Sequence, residues 1–161
     1  MGLDMYLYAN HYVNKVNWKD SYDGNWCETE DFTALVNTLD CRELINKDDV
    51  TSITIDIPIG YWRKANAIHN WFVKVMANGR DECQDIYCGK ENLKELRSLC
   101  SDVLRIRTDE YSCEHFPTKS GFFFGTTEYD SWYYDALEQT IEIIDRALAS
   151  KYDTFIYRAS W

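Results

Sequence analysis

Two stretches of the sequence gather side chains able to hold a small charged molecule. The first is Trp62-Arg63-Lys64-Ala65-Asn66, followed by His69 and Trp71. Arg63 and Lys64 can meet a phosphate or carboxylate through charge-assisted hydrogen bonds. Asn66 and His69 can orient that group, and Trp62 can stack on a base or another planar body. The second stretch is Ser120-Gly121-Phe122-Phe123-Phe124-Gly125, continuing through Thr126, Thr127, Glu128 and Tyr129 to Asp130 and Trp132. Three successive phenylalanines cannot share one face of a strand, and the flanking glycines let the backbone approach a neighbour closely. The candidate ligand-binding residues are therefore Trp62, Arg63, Lys64, Asn66 and His69 on one wall. Phe124, Thr127, Tyr129 and Trp132 would form the other. The plainer alternative is an amphipathic helix with a polar outer face, then a buried strand, a turn and a helix cap.

Signals for other chemistry are thinner. There is no Gly-rich phosphate loop ending in Lys-Ser/Thr, no Gly-x-Ser-x-Gly elbow and no His-Glu-x-x-His. Cys83 with His69 can be drawn as nucleophile and base, and His69 with Asp81 as an acid–base pair, but spacing alone does not bring either pair together. No catalytic residue is assigned. Cys83, Cys88, Cys113 and His115 supply zinc-ligand types, yet their spacing fits no compact zinc pattern, so neither metal nor cofactor is expected.

The elements that would carry these residues follow from hydrophobic periodicity. Leu3 to Tyr8 alternates as a first strand, and residues 10 to 29 read as an irregular excursion. A short helix fits Asp31 to Leu39. Ile53, Ile55 and Ile57 alternate with polar residues as a half-buried strand that stops at Pro58. Gly60 then opens a helix with Tyr61, Ala65, Ile68, Phe72 and Val75 on its buried face, closed by Asn78-Gly79. That would set Arg63 in the first turn, where the helix end also favours an anion. A second helix spans Lys90 to Leu104 through Leu93, Leu96, Cys100 and Val103. Asp130 caps a third, with Tyr133, Leu137, Ile141, Ile144 and Leu148 on one face. Thr154 to Arg158 is the last strand. Irregular mingling of helices and strands predicts an α+β fold: one small, mainly antiparallel sheet with three principal helices against it, in a single domain over residues 1–161.

Composition bounds the function. The chain has 161 residues, 45% hydrophobic and 27% charged, with a net charge of −10. Such a balance is globular, and the negative charge repels nucleic-acid phosphates. No apolar run approaches the ~20 residues of a membrane helix, and the N-terminus carries no secretory signal, so a cytoplasmic chain with six reduced cysteines is expected. Aromatic residues reach 16%, a surplus that suits a pocket or an interface as well as a core.

Four stretches also carry a resemblance: Met1-Gly2-Leu3-Asp4-Met5-Tyr6-Leu7; Gly60 to Asn66 with Ile68-His69 and Trp71-Phe72; Ser120 to Gly125 with Glu128-Tyr129-Asp130 and Trp132-Tyr133; and the ending Ala159-Ser160-Trp161. Across nearly its whole length the chain resembles a family of small uncharacterised proteins encoded by bacteriophages and prophages. The resemblance implies a setting, an accessory protein in the cytoplasm of a bacterial host. Such proteins often counter host defences, by sequestering a nucleotide-type signal or by binding a defence protein. The leading expectation is a non-enzymatic binder of a small anionic, aromatic ligand. The alternative is an inhibitor of a host defence protein through an acidic aromatic surface, and a small hydrolase or transferase comes third. No duplex nucleic acid and no membrane are expected as partners, and a homo-oligomer stays open. Duplex DNA should give no mobility shift at about 0.15 M salt, where screening is already strong. A shift that fades steeply with added salt would overturn the charge argument.

Overall fold

In a computed structural model of the chain, residues 2–17, 28–38 and 49–161 are described. The elements are β1 (Asp4–Asn14), α1 (Glu30–Thr38), β2 (Ser52–Arg63), α2 (Asn66–Trp71), β3 (Ile86–Gly89), α3 (Lys90–Ile106), α4 (Asp109–His115), α5 (Ser131–Ala149) and β4 (Thr154–Ser160). A π-helical turn, Phe72–Met76, continues α2. The strands form one antiparallel sheet in the order β2-β1-β4-β3, so the fold is α+β as expected.

The chain divides into two compact units, Met1–Asn10 with Ile57–Trp161, and His11–Asp56. In the first, Leu3, Met5, Leu7 and Ala9 are buried on one face of β1, as period-two alternation requires. Leu7 lies opposite Tyr157 of β4, which in turn lies opposite Ile86 of β3. Against this face pack α2, α3 and α5 through Ile68, Phe72, Leu93, Leu96, Leu137 and Ile144. The opposite face carries much of the aromatic surplus: Tyr6 stacks beside Tyr8 and meets Tyr61, while the Arg158 guanidinium sits 5.1 Å over the Tyr8 ring. In the second unit, Thr29 opens α1, its hydroxyl accepting from Phe32 N and donating to the Asn14 carbonyl, and Phe32 is buried.

Several expectations need correction. β1 continues to Asn14, into the stretch read as irregular. β2 does not stop at Pro58 but runs on to Arg63. It is an edge strand, where a proline's missing N–H costs no ladder bond if that side faces away. Gly60 therefore opens no helix. It lies on the same face as Trp62, two residues on, and α5 presses against it: a Cβ at Gly60 would sit 2.3 Å from Ile143 Cγ2. One α5 turn earlier, Trp62 Nε1 donates to Thr140 Oγ1 at 2.9 Å. Of the three principal helices expected, α3 and α5 are long, and the first shrinks to six residues followed by the π turn. Tyr61 and Val75, placed on its buried face, are exposed. The Asp130 cap holds, accepting from Tyr133 N at 3.1 Å. Leu39, Cys27 and Cys41 lie outside the described residues, and the cysteines within them, Cys83, Cys88, Cys100 and Cys113, are free thiols. Burial pushes the Cys88 and Cys100 thiols up to about 12, which makes them inert core groups.

The Gly60 contact gives a sharp test. Gly60→Ala should destabilise the fold by about 1–3 kcal/mol, the usual cost of overpacking. Urea melts should show Ile143→Ala restoring part of that loss in the double variant, because the two changes share one space. Purely additive losses would mean the close approach does not limit the packing.

Candidate functional site

Residues from the end of β2, the start of α2, the loop before α5 and the start of α5 line a cleft of about 380 Å³. Arg63 and Lys64 stand on the β2 side, and Trp132, Tyr133, Ala136 and Leu137 on the α5 side. Ala65, Ala67 and Ile68 contribute further apolar surface, and Thr118, Gly125, Thr126 and Glu128 close the rim from the loop before α5. Most of the lining is apolar, with few polar groups.

Lys64 is the most constrained of these residues. Its φ is 56°, in the left-handed region that a lysine enters only at a cost of roughly 1–2 kcal/mol. Two backbone bonds hold it there: its N–H donates to the Leu3 carbonyl at 2.8 Å, and its carbonyl accepts from Asn66 N at 2.9 Å. Its stem lies against two glycines. A Cβ at Gly125 would come within 3.3 Å of Lys64 Cβ, and one at Gly2 within 3.3 Å of Cε. Gly125 has φ +89°, so it serves both the turn and the close approach. Among the described residues, neither the Lys64 ammonium nor the Glu128 carboxylate has an ion-pair partner. Arg63 is exposed, with only a loose 4.0 Å approach to Asp4.

Asn66 lines the cleft, but its amide is already committed. Nδ2 donates to the carbonyls of Phe124 and Thr126 at 3.0 and 2.7 Å, and Oδ1 accepts from Lys119 N at 3.1 Å. The expected ligand contact is thus a clamp that holds the loop carrying the rim. Thr118 adds a tie, its hydroxyl donating to the Thr127 carbonyl at 2.9 Å.

His69 is likewise buried and occupied. Nδ1 lies 2.7 Å from the Tyr157 hydroxyl and Nε2 lies 3.1 Å from Asp81. An ionised carboxylate only accepts, so Nε2 carries the proton and the hydroxyl donates to Nδ1. Lys119 continues the chain to Asp81 at 2.5 Å. Burial holds the His69 pKa below its ordinary value, helped by Lys119, while Asp81 pulls it upward. Burial also raises the Tyr157 phenol. His69 and Asp81 do meet, but the neutral ring has no free nitrogen for a substrate.

Of the nine expected site residues, the cleft gathers Arg63, Lys64, Asn66 and Trp132. Trp62 points into the core, and Phe124 packs edge-on to His69 and Trp161. Tyr129 packs edge-on to Tyr133, and Thr127 stands outside the lining. The anion site expected at a helix start is corrected too: Arg63 and Lys64 end a strand, and α2 begins at Asn66 with no side-chain cap. Thr126 and Glu128, part of the second stretch though not among the nine, also line the cleft, and so does Thr118, which the sequence did not single out. The one local clue to the hollow is a set of small side chains, Ala65, Ala67 and Ala136.

Comparison with protein-family models, curated proteins and solved structures finds no match to the chain. Among the described residues, no helix is long and apolar enough to cross a membrane, and no three metal-ligating side chains converge.

The buried histidine predicts a pH response. Its folded pKa is lowered, so the unfolded state binds the proton more readily. The contribution of neutral His69 to stability is therefore complete above the unfolded value of about 6.5. It falls as pH drops from there toward the lower folded value. Thermal melts of wild type and His69→Ala should show the variant less stable at pH 8 by at least ~1–3 kcal/mol, the cost of orphaning the Tyr157 hydroxyl. The gap should narrow toward pH 5. A gap that widens on acidification would assign His69 a charged folded state.

Proposed function

We propose that the chain binds a small molecule carrying both an anionic group and a planar aromatic body, with no chemical step. Lys64 carries this reading. A lysine in a left-handed backbone, with its stem against two glycines and its ammonium unpaired at a cleft, is an expensive arrangement for a surface charge. Glycine would adopt that backbone at no steric cost. The exposed Trp132 supplies a stacking surface at the same cleft, while the Arg63 guanidinium leans toward Asp4 on the other face of the sheet. A nucleotide-type signal combines both features. With the resemblance to phage-encoded proteins, this reading makes the chain a sequestering agent in the cytoplasm of a bacterial host, where it would counter a defence. A second reading, a docking surface for a host defence protein, draws on Phe122, which is 95% exposed beside Phe123.

Calorimetry with a panel of nucleoside monophosphates tests the first reading. Lys64→Met should weaken a bound anion roughly ten- to a hundredfold, the loss of one hydrogen bond to a charged group, and Arg63→Ala should weaken it less, because that guanidinium leans toward Asp4. Lys64→Gly separates binding from folding. It should lose the same affinity while keeping stability or gaining about 1 kcal/mol, as relief of the left-handed backbone offsets glycine's entropy. A tight ligand indifferent to all three substitutions would place the site elsewhere. No ligand, together with a host-protein complex abolished by Phe122→Ala, would favour the docking surface.

A further inference from the structure

The cleft holds opposite charges that do not neutralise each other. Lys64 and Arg63 stand on the β2 side, and Glu128 stands on the loop before α5, unpaired among the described residues. An exposed glutamate is ordinarily a solvated surface group, but the segment carrying this one is held at several points. Glu128 N donates to Thr126 Oγ1 at 3.1 Å, the Thr126 carbonyl accepts from buried Asn66, and the Thr127 carbonyl accepts from Thr118. A carboxylate on a fixed turn is preorganised to accept hydrogen bonds from a bound molecule. A ligand suited to this cleft therefore carries both an anionic group and hydrogen-bond donors on a flat apolar body.

Resting on the binding reading above, we propose that the ligand is a guanine nucleotide of monophosphate size, its phosphate on Lys64 and its base edge on Glu128. Guanine presents N1–H and the exocyclic 2-amino group side by side, two donors that match the two oxygens of one carboxylate. Adenine presents an acceptor, N1, beside its 6-amino group, and that acceptor would face the carboxylate lone pairs. A site built to hydrogen-bond a group discriminates strongly against an analogue that leaves it unpaired. Size sets the length of the ligand. At about 380 Å³ the cleft lies near the small end of ligand pockets, which run roughly 300–1000 Å³, so it takes one nucleotide unit and not two. Trp132 and the apolar walls from Ile68, Ala136 and Leu137 flank the flat base.

Calorimetry of the intact chain with 5′-GMP, 5′-AMP and inorganic phosphate tests the assignment. GMP should bind at least tenfold more tightly than AMP, and phosphate weakest of the three. Glu128→Gln should weaken GMP about tenfold or more and leave AMP unchanged or tighter, so that the preference collapses. Its melting temperature should stay at the wild-type value, since the Glu128 side chain bonds to no other residue among those described. AMP binding as tightly as GMP, or a preference that survives Glu128→Gln, overturns the guanine assignment. If both nucleotides bind equally and both are lost in Lys64→Met, the anion-binding reading stands while this one falls. If none of the three probes binds, the cleft reading falls and takes this one with it.

Discussion

The close approach of α5 to β2 is the contact on which the rest of the site depends. Gly60 offers no side chain, so Ile143 can lie where a Cβ would be. One turn back, the Trp62 indole donates to Thr140, whose hydroxyl donates onward to the Ala136 carbonyl of its own helix. A steric allowance and a buried hydrogen bond thus fix one helix against one strand. Both elements then run on beyond this seam, β2 to Arg63 and α5 back to Trp132. Residues of both line the cleft. Its width is set by core packing, and interiors packed to crystal-like density do not deform continuously.

Buried polar residues do the remaining positioning. Asn66 uses both faces of its amide to hold three backbone groups of the loop from Lys119 to Thr126. His69 ties Tyr157 of β4 to Asp81, and Asp81 ties to Lys119 at the beginning of that same loop. The loop is therefore anchored from two sides by neighbouring residues of α2. A satisfied buried network of this kind favours one arrangement over its alternatives, because each unmade bond costs more in a low-dielectric interior than it would in water. The exposed rim residues Gly125, Thr126 and Glu128 are held by this network and by the packing of Gly125 against Lys64.

Much of this fold is legible in the sequence, for a physical reason. β1, α3 and α5 have apolar residues at regular steps because each buries one continuous face, β4 reads as a strand from its short apolar run Phe155-Ile156-Tyr157, and Asp130 marks the start of α5 through a local side-chain bond. The stretch from Pro58 to Val75 is misleading. Ala65, Ile68 and Phe72 keep helical spacing, and Pro58 and Gly60 look like punctuation ahead of them. Yet the proline sits on an edge strand, and the glycine answers to Ile143, more than eighty residues away. β3 has four residues, and α4 buries only Ser112, so neither carries a periodic signal. In the site, Arg63, Lys64, Asn66 and Trp132 are legible from their chemical types. Their roles are not, because whether an amide or an imidazole is free depends on partners such as Phe124, Lys119 and Tyr157, whose approach no local spacing encodes.

The charge distribution narrows what such a cleft can hold. The chain carries a net charge of −10, and at physiological salt both that repulsive field and the attraction of a local cation reach only about 8 Å beyond the surface, the screening length. Arg63 and Lys64 act only inside that distance. An extended polyanion would leave most of its phosphates over acidic surface, outside the reach of two cations. A bare inorganic anion avoids that cost but gains nothing from Ala65, Ile68, Ala136, Leu137 or the Trp132 ring. On the binding reading proposed above, the molecule favoured over both would be compact, charged and flat, and the acidity that repels nucleic-acid phosphates would work together with the local cation Lys64 to favour it.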